Sequence, residues 1–234
     1  MKMTKFMAGA LCVAIITSSC SSMSNTAKGG LFGAGGGAAL GAVIGALAGN
    51  AGVGAAIGTA VGTGAGVIIG KKMDKAKREA EAIKNAQVES IKDANGLDAV
   101  KLTFDSGLLF ASGSATLSNA SKASLDQLAA LLNRNQDADV NIQGYTDNDG
   151  WRGATAAQSK QKNLELSQQR AAAVTAYLLS KGVSVQQIKA TTGFGEDNPV
   201  ASNATPEGKR QNRRVEVYLY ASQAMIQAAT HQAS

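Results

Sequence analysis

Residues 29–70 carry no charged side chain, and glycine recurs there at every fourth position in two runs. The first run extends from Gly33 to Gly49 and the second from Gly54 to Gly70, so the register breaks once between them. In water, each glycine disfavours a helix by about 1 kcal/mol relative to alanine. In a bilayer the helix is favoured, because backbone N–H and C=O groups have no water to bind. The pattern therefore predicts a Gly-rich, glycine-zipper helical hairpin in a membrane.

Three interpretations of this segment remain open from the residues alone. In a membrane hairpin the glycine faces let helices pack closely, which also allows a homo-oligomer through these helices. The faces that would contact lipid carry Leu40, Val43, Ile44, Leu47, Val53, Ile57, Val61, Val67, Ile68 and Ile69. The second interpretation is a flexible spacer or a soluble helical packing element, although a linker needs no regular glycine spacing. The third is an oligomeric pore, for which Thr59 and Thr63 are the candidate polar lining.

Residues 1–19 have the composition of a lipoprotein signal peptide. Lys2 and Lys5 precede an apolar stretch at 6–16 that is too short to span a bilayer. Small residues then lead to Cys20, which resembles the lipidated cysteine of bacterial lipoproteins. Such a cysteine usually carries more than one acyl chain and anchors a protein firmly, so we expect lipidation, with palmitate among the chains, at this residue.

Cleavage before Cys20 would leave a lipidated linker at 20–28 and remove Cys12 with the signal. The mature chain would then contain one cysteine, so no disulfide is predicted. The alternative is an ordinary secreted protein with a free thiol at this position. Ser21 stands where an aspartate retains enterobacterial lipoproteins at the inner membrane, so the predicted location is the cell outer membrane.

Residues 71–95 are dense in charge and predict a connecting helix. Between 71 and 92 the segment carries seven basic and four acidic side chains with Ala, Ile and Val between them. Asp74 precedes Arg78 by four positions, a spacing that stabilises a helix surface. We expect a solvated helix that leads from the membrane and ends at Asn95-Gly96.

Residues 96–221 alternate strand and helix patterns. Alternating apolar residues predict strands at 100–104, 140–142, 188–192 and 215–219. Ser118 can cap a first helix, and Gly182 can end a second, longer one. The apolar stripes of these helices carry Leu125, Leu128, Leu132, Leu164, Ser167, Ala171, Val174 and Leu178. The predicted fold is α/β, a two-layer sandwich of a mixed sheet and helices, followed by a frayed C-terminal tail at 222–234.

Two opposite charges fall near each other in this predicted frame. Asp147 follows a strand with Thr146 beside it, and Arg170 lies on the long helix two turns after Asn163. A carboxylate can receive an ammonium, and a guanidinium fork can hold a carboxylate through two parallel hydrogen bonds. These residues therefore suit a zwitterionic ligand, and Arg213 can add a donor. From the residues alone, a structural salt bridge and two unrelated surface charges remain alternatives.

Five motifs in the second half of the chain resemble a known domain. They are Leu108-Leu109-Phe110 with Ala115-Thr116-Leu117, Gly144-Tyr145-Thr146-Asp147, Asn163-Leu164 with Leu166-Ser167 and Arg170-Ala171, Gly193-Phe194-Gly195-Glu196 with Pro199, and Asn212-Arg213-Arg214-Val215-Glu216. In this order, residues 97–220 resemble the peptidoglycan-binding domain at the C-terminus of outer-membrane protein A, of peptidoglycan-associated lipoproteins and of flagellar stators.

The resemblance implies a ligand and a function. The aspartate, the helix arginine and nearby polar groups of that family hold the diaminopimelate of peptidoglycan stem peptides, which here assigns ligand contacts to Thr146, Asp147, Asn163, Arg170 and Arg213. The implied protein is an outer-membrane lipoprotein with its C-terminal domain in the periplasm. It would bind outer-membrane lipid and peptidoglycan, and so tether the membrane to the cell wall. The alternative is a glycine-zipper membrane-assembly or pore-forming protein that uses wall binding as an anchor.

The spacing between Asp147 and Arg170 is longer than the spacing usual in that family. The extra residues, around 151–160, include the sole tryptophan of the chain, Trp151. Two interpretations remain open. The insertion is either a tolerated surface loop, or a segment that folds over the pocket and adds a stacking or glycan contact through Trp151.

Other functional classes are disfavoured by the sequence. His231 is the single histidine and falls in the C-terminal tail, and Glu165, Glu196 and Glu207 show no acid/base spacing. Neither a nucleophile with a base nor a metal-ligand cluster is recognisable in the mature chain, so we predict no enzymatic activity, no metal and no cofactor. The net charge of +6 does not form a basic stripe with aromatic residues, so no nucleic-acid partner is predicted.

Overall fold

A mixed sheet organises the part of the chain that the computed structural model describes, residues 64–93 and 95–234. Its five strands are β1 (Ala86–Lys92), β2 (Asp98–Asp105), β3 (Ala138–Gly144), β4 (Ile188–Gly193) and β5 (Arg214–Ala221). Their spatial order is β1-β2-β5-β3-β4. The β3 and β4 strands run parallel, whereas the other neighbouring pairs are antiparallel.

Helices flank this sheet and complete the domain. They are α1 (Gly64–Ala80), α2 (Ser106–Leu109), α3 (Asn119–Arg134), α4 (Ala156–Ser180), α5 (Pro206–Asn212) and α6 (Gln223–Ala233). The predicted cap of α3 is confirmed, because the Ser118 hydroxyl accepts from the Ser121 N–H at 3.1 Å. Thr155 and Gln158 form a capping box that begins α4, and Gly182, with φ 84°, follows its end.

The core lies between the helices and one face of the sheet. Leu102 of β2, Val217 of β5 and Ile142 of β3 are neighbours across three strands and are fully buried. Leu128 of α3 and Val174 of α4 belong to the same apolar cluster. The predicted α/β sandwich of a mixed sheet and helices is therefore confirmed for the described residues. One detail of the predicted stripe is wrong, since Leu164 on α4 is 40% exposed.

The predicted connecting helix over 71–92 is wrong in its second half. The α1 helix ends at Ala80, and Ala86–Lys92 forms the edge strand β1, in which Val88 lies opposite Leu102 of β2. Asn95-Gly96 ends no helix but belongs to the β1–β2 turn, where the Asp93 carboxylate accepts the Asn95 N–H at 2.8 Å. Pairing with a sheet edge outweighs the helix propensity of this charged segment, since tertiary context overrides propensity.

The prediction that the end of the glycine-rich segment faces lipid is also wrong for Ile68 and Ile69. Ile69 is fully buried in the core of the domain, Ile68 packs against that core, and Val67 is exposed. Residues 64–70 therefore belong to a helix that packs on the domain, in agreement with the packing element of the second interpretation. Residues 29–63, which carry most of the predicted hairpin, lie outside the described residues. Among the described helices, none has both the length and the apolar character of a membrane span.

The predicted frayed tail at 222–234 is a helix that packs on the domain. Ser222 caps α6 by accepting from the Met225 N–H at 3.1 Å, and Met225, Ile226 and Ala229 are buried. At its far end α6 lies against α1, where a Cβ at Gly64 would lie 3.2 Å from the Ala233 Cβ. The two helices cover the same side of the core, and His231 belongs to α6 rather than to a loose terminus.

Candidate ligand-binding site

Close packing of α4 against the strand ends brings the two predicted charges together. A Cβ at Gly144 would lie 2.2 Å from the Ser167 carbonyl oxygen of α4, and a Cβ at Gly193 would lie 2.2 Å from the Gln168 nitrogen. Side chains at these two positions would push the helix away from β3 and β4. The glycines therefore allow Arg170 on α4 to approach the residues that follow β3.

Asp147 is held immediately after β3 and is 5% exposed. Its neighbour Thr146 fixes the main chain by donating its N–H to the Gly195 carbonyl at 2.8 Å. One carboxylate oxygen of Asp147 accepts the Asp149 N–H at 3.1 Å, and the other forms an ion pair with Arg213. This carboxylate is therefore oriented by the main chain and neutralised by a partner that is itself about one-third exposed, at 36%.

Arg170 is 4% exposed and reaches the loop between α2 and α3. Its Nε–H donates to the Ser114 carbonyl at 3.0 Å, its Nη2 lies 3.5 Å from the Ala111 carbonyl, and its guanidinium carbon lies 5.3 Å from the Phe110 ring centroid. A guanidinium has five N–H groups, so these two contacts leave donors for a ligand.

The electrostatics of Arg170 follow from burial and two neighbouring charges. Burial lowers the pKa of Arg170 from its ordinary value, while the nearby Asp147 carboxylate raises it and the Arg213 charge lowers it. Among the ion pairs of residues 64–93 and 95–234, none joins Asp147 to Arg170 directly. Both side chains are buried and do not pair with each other, so they are neither a mutual salt bridge nor two exposed surface charges. Each has a partner within the protein, Arg213 for Asp147 and two main-chain carbonyls for Arg170.

Arg213 pairs with Asp147, but it does so from a different element than predicted. It caps the C-terminal end of α5 instead of opening β5. One turn earlier on α5, Lys209 forms an ion pair of 2.6 Å with Asp149, and this hydrogen bond raises the pKa of Lys209. Two cations spaced four apart on α5 thus face two carboxylates spaced two apart after β3. The sequence analysis missed Lys209, although the i, i+4 spacing to Arg213 was a usable signal.

Asn163 lies at the site but uses its amide within the protein. Its Nδ2 group donates to the Asp149 carbonyl and to Glu196 Oε2, both at 3.1 Å, and lies 3.4 Å from the Asp147 carbonyl. Its Oδ1 accepts the indole N–H of Trp151 at 2.8 Å. Asn163 therefore acts as a positioning residue that fixes the loop after Asp147.

Thr146, unlike Asn163, leaves its side-chain polar group without a hydrogen-bond partner in the part of the chain that the structure describes. Its side chain is 5% exposed, and its hydroxyl has no hydrogen-bond partner within the described ranges. A buried polar group without a partner costs about 1–3 kcal/mol. The Thr146 hydroxyl is therefore a buried, unsatisfied group in the chain next to Asp147.

Arg214, the neighbour of Arg213, has a structural role. Its Nε lies 2.7 Å from Glu216 Oε1 and its guanidinium carbon 3.7 Å from the Tyr145 ring centroid. The Tyr218 hydroxyl donates to the second Glu216 oxygen at 2.5 Å. Burial, and then the Glu216 charge, raises the pKa of Tyr218 far above its ordinary value. Arg214 and Glu216, two residues apart on β5, thus form an ion pair on one face of the strand.

The fold and the site together define a helix-and-sheet domain that carries a buried, partly unsatisfied pair of opposite charges. Residues 109–213 match the model of the OmpA family, and residues 1–74 match the YMGG-like Gly-zipper model. The resemblance that the motifs indicated is therefore confirmed for residues 109–213, which follow a segment that matches the Gly-zipper model.

Curated relatives share this domain over about half of the chain. The Escherichia coli protein named "Probable lipoprotein YiaD" is 41% identical over 122 residues, which are 52% of this chain and 52% of that protein. Peptidoglycan-binding protein ArfA of Mycobacterium tuberculosis is 44% identical over 110 residues, 47% of this chain and 31% of its own. Outer membrane protein A of Bordetella avium is 36% identical over 124 residues, 53% of this chain and 59% of its own. The chain thus spans between about a third and three fifths of these relatives.

Solved structures support the fold assignment. A MotB-like protein from Desulfovibrio vulgaris superposes with a TM-score of 0.56 at 25% identity, over 67% of this chain and 96% of that one. The cell wall anchor of the T6SS from Pseudomonas aeruginosa superposes with a TM-score of 0.51 at 28% identity, over 64% of this chain and 97% of that one.

Proposed function

We propose that this protein binds peptidoglycan non-covalently through the diaminopimelate of stem peptides and tethers the outer membrane to the cell wall. The observation that carries the binding part is the convergence of Asp147 and Arg170, both buried and not paired with each other. Burying a carboxylate and a guanidinium is costly unless each is compensated. A ligand that carries both opposite charges compensates both groups at once.

The binding mode follows from the free hydrogen-bonding capacity of the site. The ammonium of the ligand lies against the Asp147 carboxylate, and its carboxylate accepts from the remaining N–H groups of Arg170. The Thr146 hydroxyl gains a partner from the same head group. Arg213, which pairs with Asp147 in this structure, shares or releases that carboxylate when the ammonium arrives. Diaminopimelate within a stem peptide keeps a free amino-acid head group and therefore provides both charges.

The relatives support wall binding rather than catalysis. ArfA is named for peptidoglycan binding, and the structure from Pseudomonas aeruginosa is described as a cell wall anchor. The site offers hydrogen bonds and charges to a ligand but holds no nucleophile poised beside a base in the described residues. Binding at single sites can be weak, because many copies along one polymer gain avidity.

The membrane part of the proposal rests on the sequence before residue 64. Lipid on Cys20 holds one end of the chain in the outer membrane. The match of residues 1–74 to a Gly-zipper model favours a second candidate function, a membrane-assembly or pore-forming role that uses wall binding as an anchor. Conductance of liposomes that contain the full-length chain separates the two, since a tether gives no stable currents.

Co-sedimentation with purified sacculi tests the binding site. We expect the full-length Asp147→Ala and Arg170→Ala variants to lose sedimentation while retaining a cooperative unfolding transition, because each substitution leaves the ligand charge unpaired. The matched control is Asp126→Ala, which removes a carboxylate that pairs with Lys181 on the surface. Unchanged sedimentation of both site variants would refute the assignment.

Fractionation tests the anchor independently. A Cys20→Ser variant should leave the outer-membrane fraction and fail to incorporate radiolabelled palmitate, while its binding to sacculi stays intact. If the Cys20→Ser variant stays in the membrane fraction and the wild-type chain incorporates no palmitate, lipid anchoring is contradicted. The wall-binding proposal is unaffected by this outcome.

A further inference from the structure

The indole ring of Trp151 lies next to the proposed ligand site. Its Nε1–H donates to Asn163 Oδ1 at 2.8 Å, and the amide nitrogen of the same Asn163 lies 3.4 Å from the Asp147 carbonyl. One edge of the indole is thus connected through a single side chain to the residue that would receive the ammonium. The insertion at 151–160, which lengthened the spacing from Asp147 to Arg170, therefore contributes to the site.

The other edge of the ring approaches the loop that Arg170 contacts. The Trp151 Cη2 atom lies 4.0 Å from the position of a Cβ at Gly113. Gly113 stands between Ala111 and Ser114, whose carbonyls accept from Arg170. The ring therefore extends from the Asp147 loop to the Arg170 loop.

The ring is fixed in this position before any ligand arrives. The Trp151 main-chain N–H donates to the Ser159 hydroxyl at 3.0 Å, and the Lys162 ammonium lies 5.6 Å from the ring centroid. A bulky aromatic side chain held at its main chain, at its polar edge and near one face loses little freedom on binding. Such a preorganised apolar surface favours affinity.

We propose that Trp151 is a specificity-determining wall of the site, which contacts the aliphatic side chain of the bound amino acid. This inference rests on the proposed function. The head group lies between Asp147 and Arg170, so the methylene groups that leave it pass along the indole. The sugar of peptidoglycan is at least two residues further along the stem, roughly 7 Å of extended chain or more. The wall therefore selects a zwitterion with a long apolar side chain over one without a side chain.

Titration of the full-length chain with free diaminopimelate and with glycine tests this wall. Both ligands present a zwitterionic head, but glycine lacks the side chain. Trp151 is the sole tryptophan, so the indole N–H signal in NMR spectra reports on this ring alone. In the wild-type chain, diaminopimelate should bind more tightly than glycine and shift that signal.

Three variants resolve the role of the ring. We expect Trp151→Ala to weaken diaminopimelate binding by about tenfold, the effect of removing an apolar contact from two or so methylene groups, with glycine binding unchanged. Trp151→Phe should keep most of the preference, because a ring remains although the N–H is lost. Lys162→Ala should keep most of it, since the main-chain and indole N–H hydrogen bonds still hold the ring.

Three other outcomes would overturn the inference. Equal weakening of both ligands in Trp151→Ala and Trp151→Phe would mean that the residue holds the Asp147 loop and contacts no side chain. A loss confined to sugar-containing fragments would make the ring a glycan contact. If neither ligand binds the wild-type chain while the chain still sediments with sacculi, the proposed role of Trp151 is refuted and the head-group site fails with it. Binding to peptidoglycan as such would stand.

Discussion

Two buried arrangements of arginine and carboxylate use their charges differently. The first is the pair of Arg214 and Glu216, and the second is the candidate site with Arg170 and Asp147. Arg214 and Glu216 on β5 are 4% and 2% exposed and satisfy each other, with further contacts from Arg214 to the Asn212 carbonyl at 3.3 Å and to the Asn198 carbonyl at 3.2 Å. The second Glu216 oxygen accepts from the Tyr218 hydroxyl. This network is closed, because both charged groups have their hydrogen-bond partners within the protein.

The candidate site is equally buried but remains open. Arg170 and Asp147 are 4% and 5% exposed and do not pair with each other. Asp147 depends on Arg213, which is itself partly exposed, and the Thr146 hydroxyl beside it has no partner in the described residues. Burial therefore does not separate structural charges from binding charges in this domain. We infer that the hydrogen-bonding capacity left over at Arg170 after folding separates them, and four substitutions test this difference.

The largest expected effect is on the closed network. Glu216→Ala should lower the free energy of unfolding by about 3–5 kcal/mol, because it leaves the buried Arg214 charge without its partner. Urea unfolding of the full-length chain measures this loss. The control is Glu207→Ala on the exposed first turn of α5, which should change stability by less than about 0.5 kcal/mol. Equal midpoints for the two variants would show that the network contributes little.

Arg170→Lys should affect binding more than folding. The lysine keeps the charge but loses the guanidinium fork, so we expect sacculus affinity to fall by about 1.5–3 kcal/mol, the value of hydrogen bonds to charged groups. The unfolding midpoint should stay close to that of the wild type. Arg134→Lys on the surface of α3 is the matched control and should bind normally. A stability loss as large as that of Glu216→Ala would place Arg170 with the structural charges.

Thr146→Val separates the two roles at a single hydroxyl. Removing a buried hydroxyl that has no partner should raise stability by about 1 kcal/mol, while ligand binding weakens by a similar amount through the lost hydrogen bond. The control is Thr191→Val, whose hydroxyl bonds to the Thr175 hydroxyl at 2.8 Å and which should lose stability without losing binding. Thermal unfolding and sedimentation with sacculi report the two quantities. Loss of stability in Thr146→Val would show that its hydroxyl already has a structural partner.

Lys209→Ala should have the smallest effect. The Lys209–Asp149 ion pair is mostly exposed, and such pairs contribute little and are screened by salt. We expect a slight loss of stability that disappears in concentrated salt and a slight loss of binding. Lys160→Ala removes the exposed ion pair with Asp197. It should show the same slight, salt-sensitive loss of stability as Lys209→Ala and leave binding unchanged. A large binding defect in Lys209→Ala would make Lys209 a further ligand-binding residue.

The sequence predicted which elements carry Asp147, Asn163 and Arg170 because these positions belong to local patterns. Asp147 directly follows an alternating strand, and Asn163 and Arg170 are two helical turns apart, so their placement needed only strand and helix periodicity. The partners of these residues depend on tertiary packing. The ion pair from Arg213 to Asp147 and the contact from Trp151 to Asn163 join separate elements, and no spacing along the chain indicates them.

The elements at both ends of the domain were harder to predict. In α1 the buried stripe consists of Ala65, Ile69, Met73, Ala76 and Ala80. Its small residues and the lysines between them resemble a solvated or membrane-proximal helix more than a core helix. The α6 helix has no charged residue besides His231 and begins after a single serine cap. Both helices are stabilised by packing against the same core, which local sequence does not reveal.

The central claim is that Asp147 and Arg170 hold the two charges of one amino-acid head group. Affinity of the full-length chain for a stem tripeptide that ends in diaminopimelate tests it most directly, in three forms: free, acetylated at the terminal amine, and amidated at the adjacent carboxylate. The account predicts that either modification weakens binding by tenfold or more, since each removes one charge-assisted contact. Equal affinity for all three forms would contradict it.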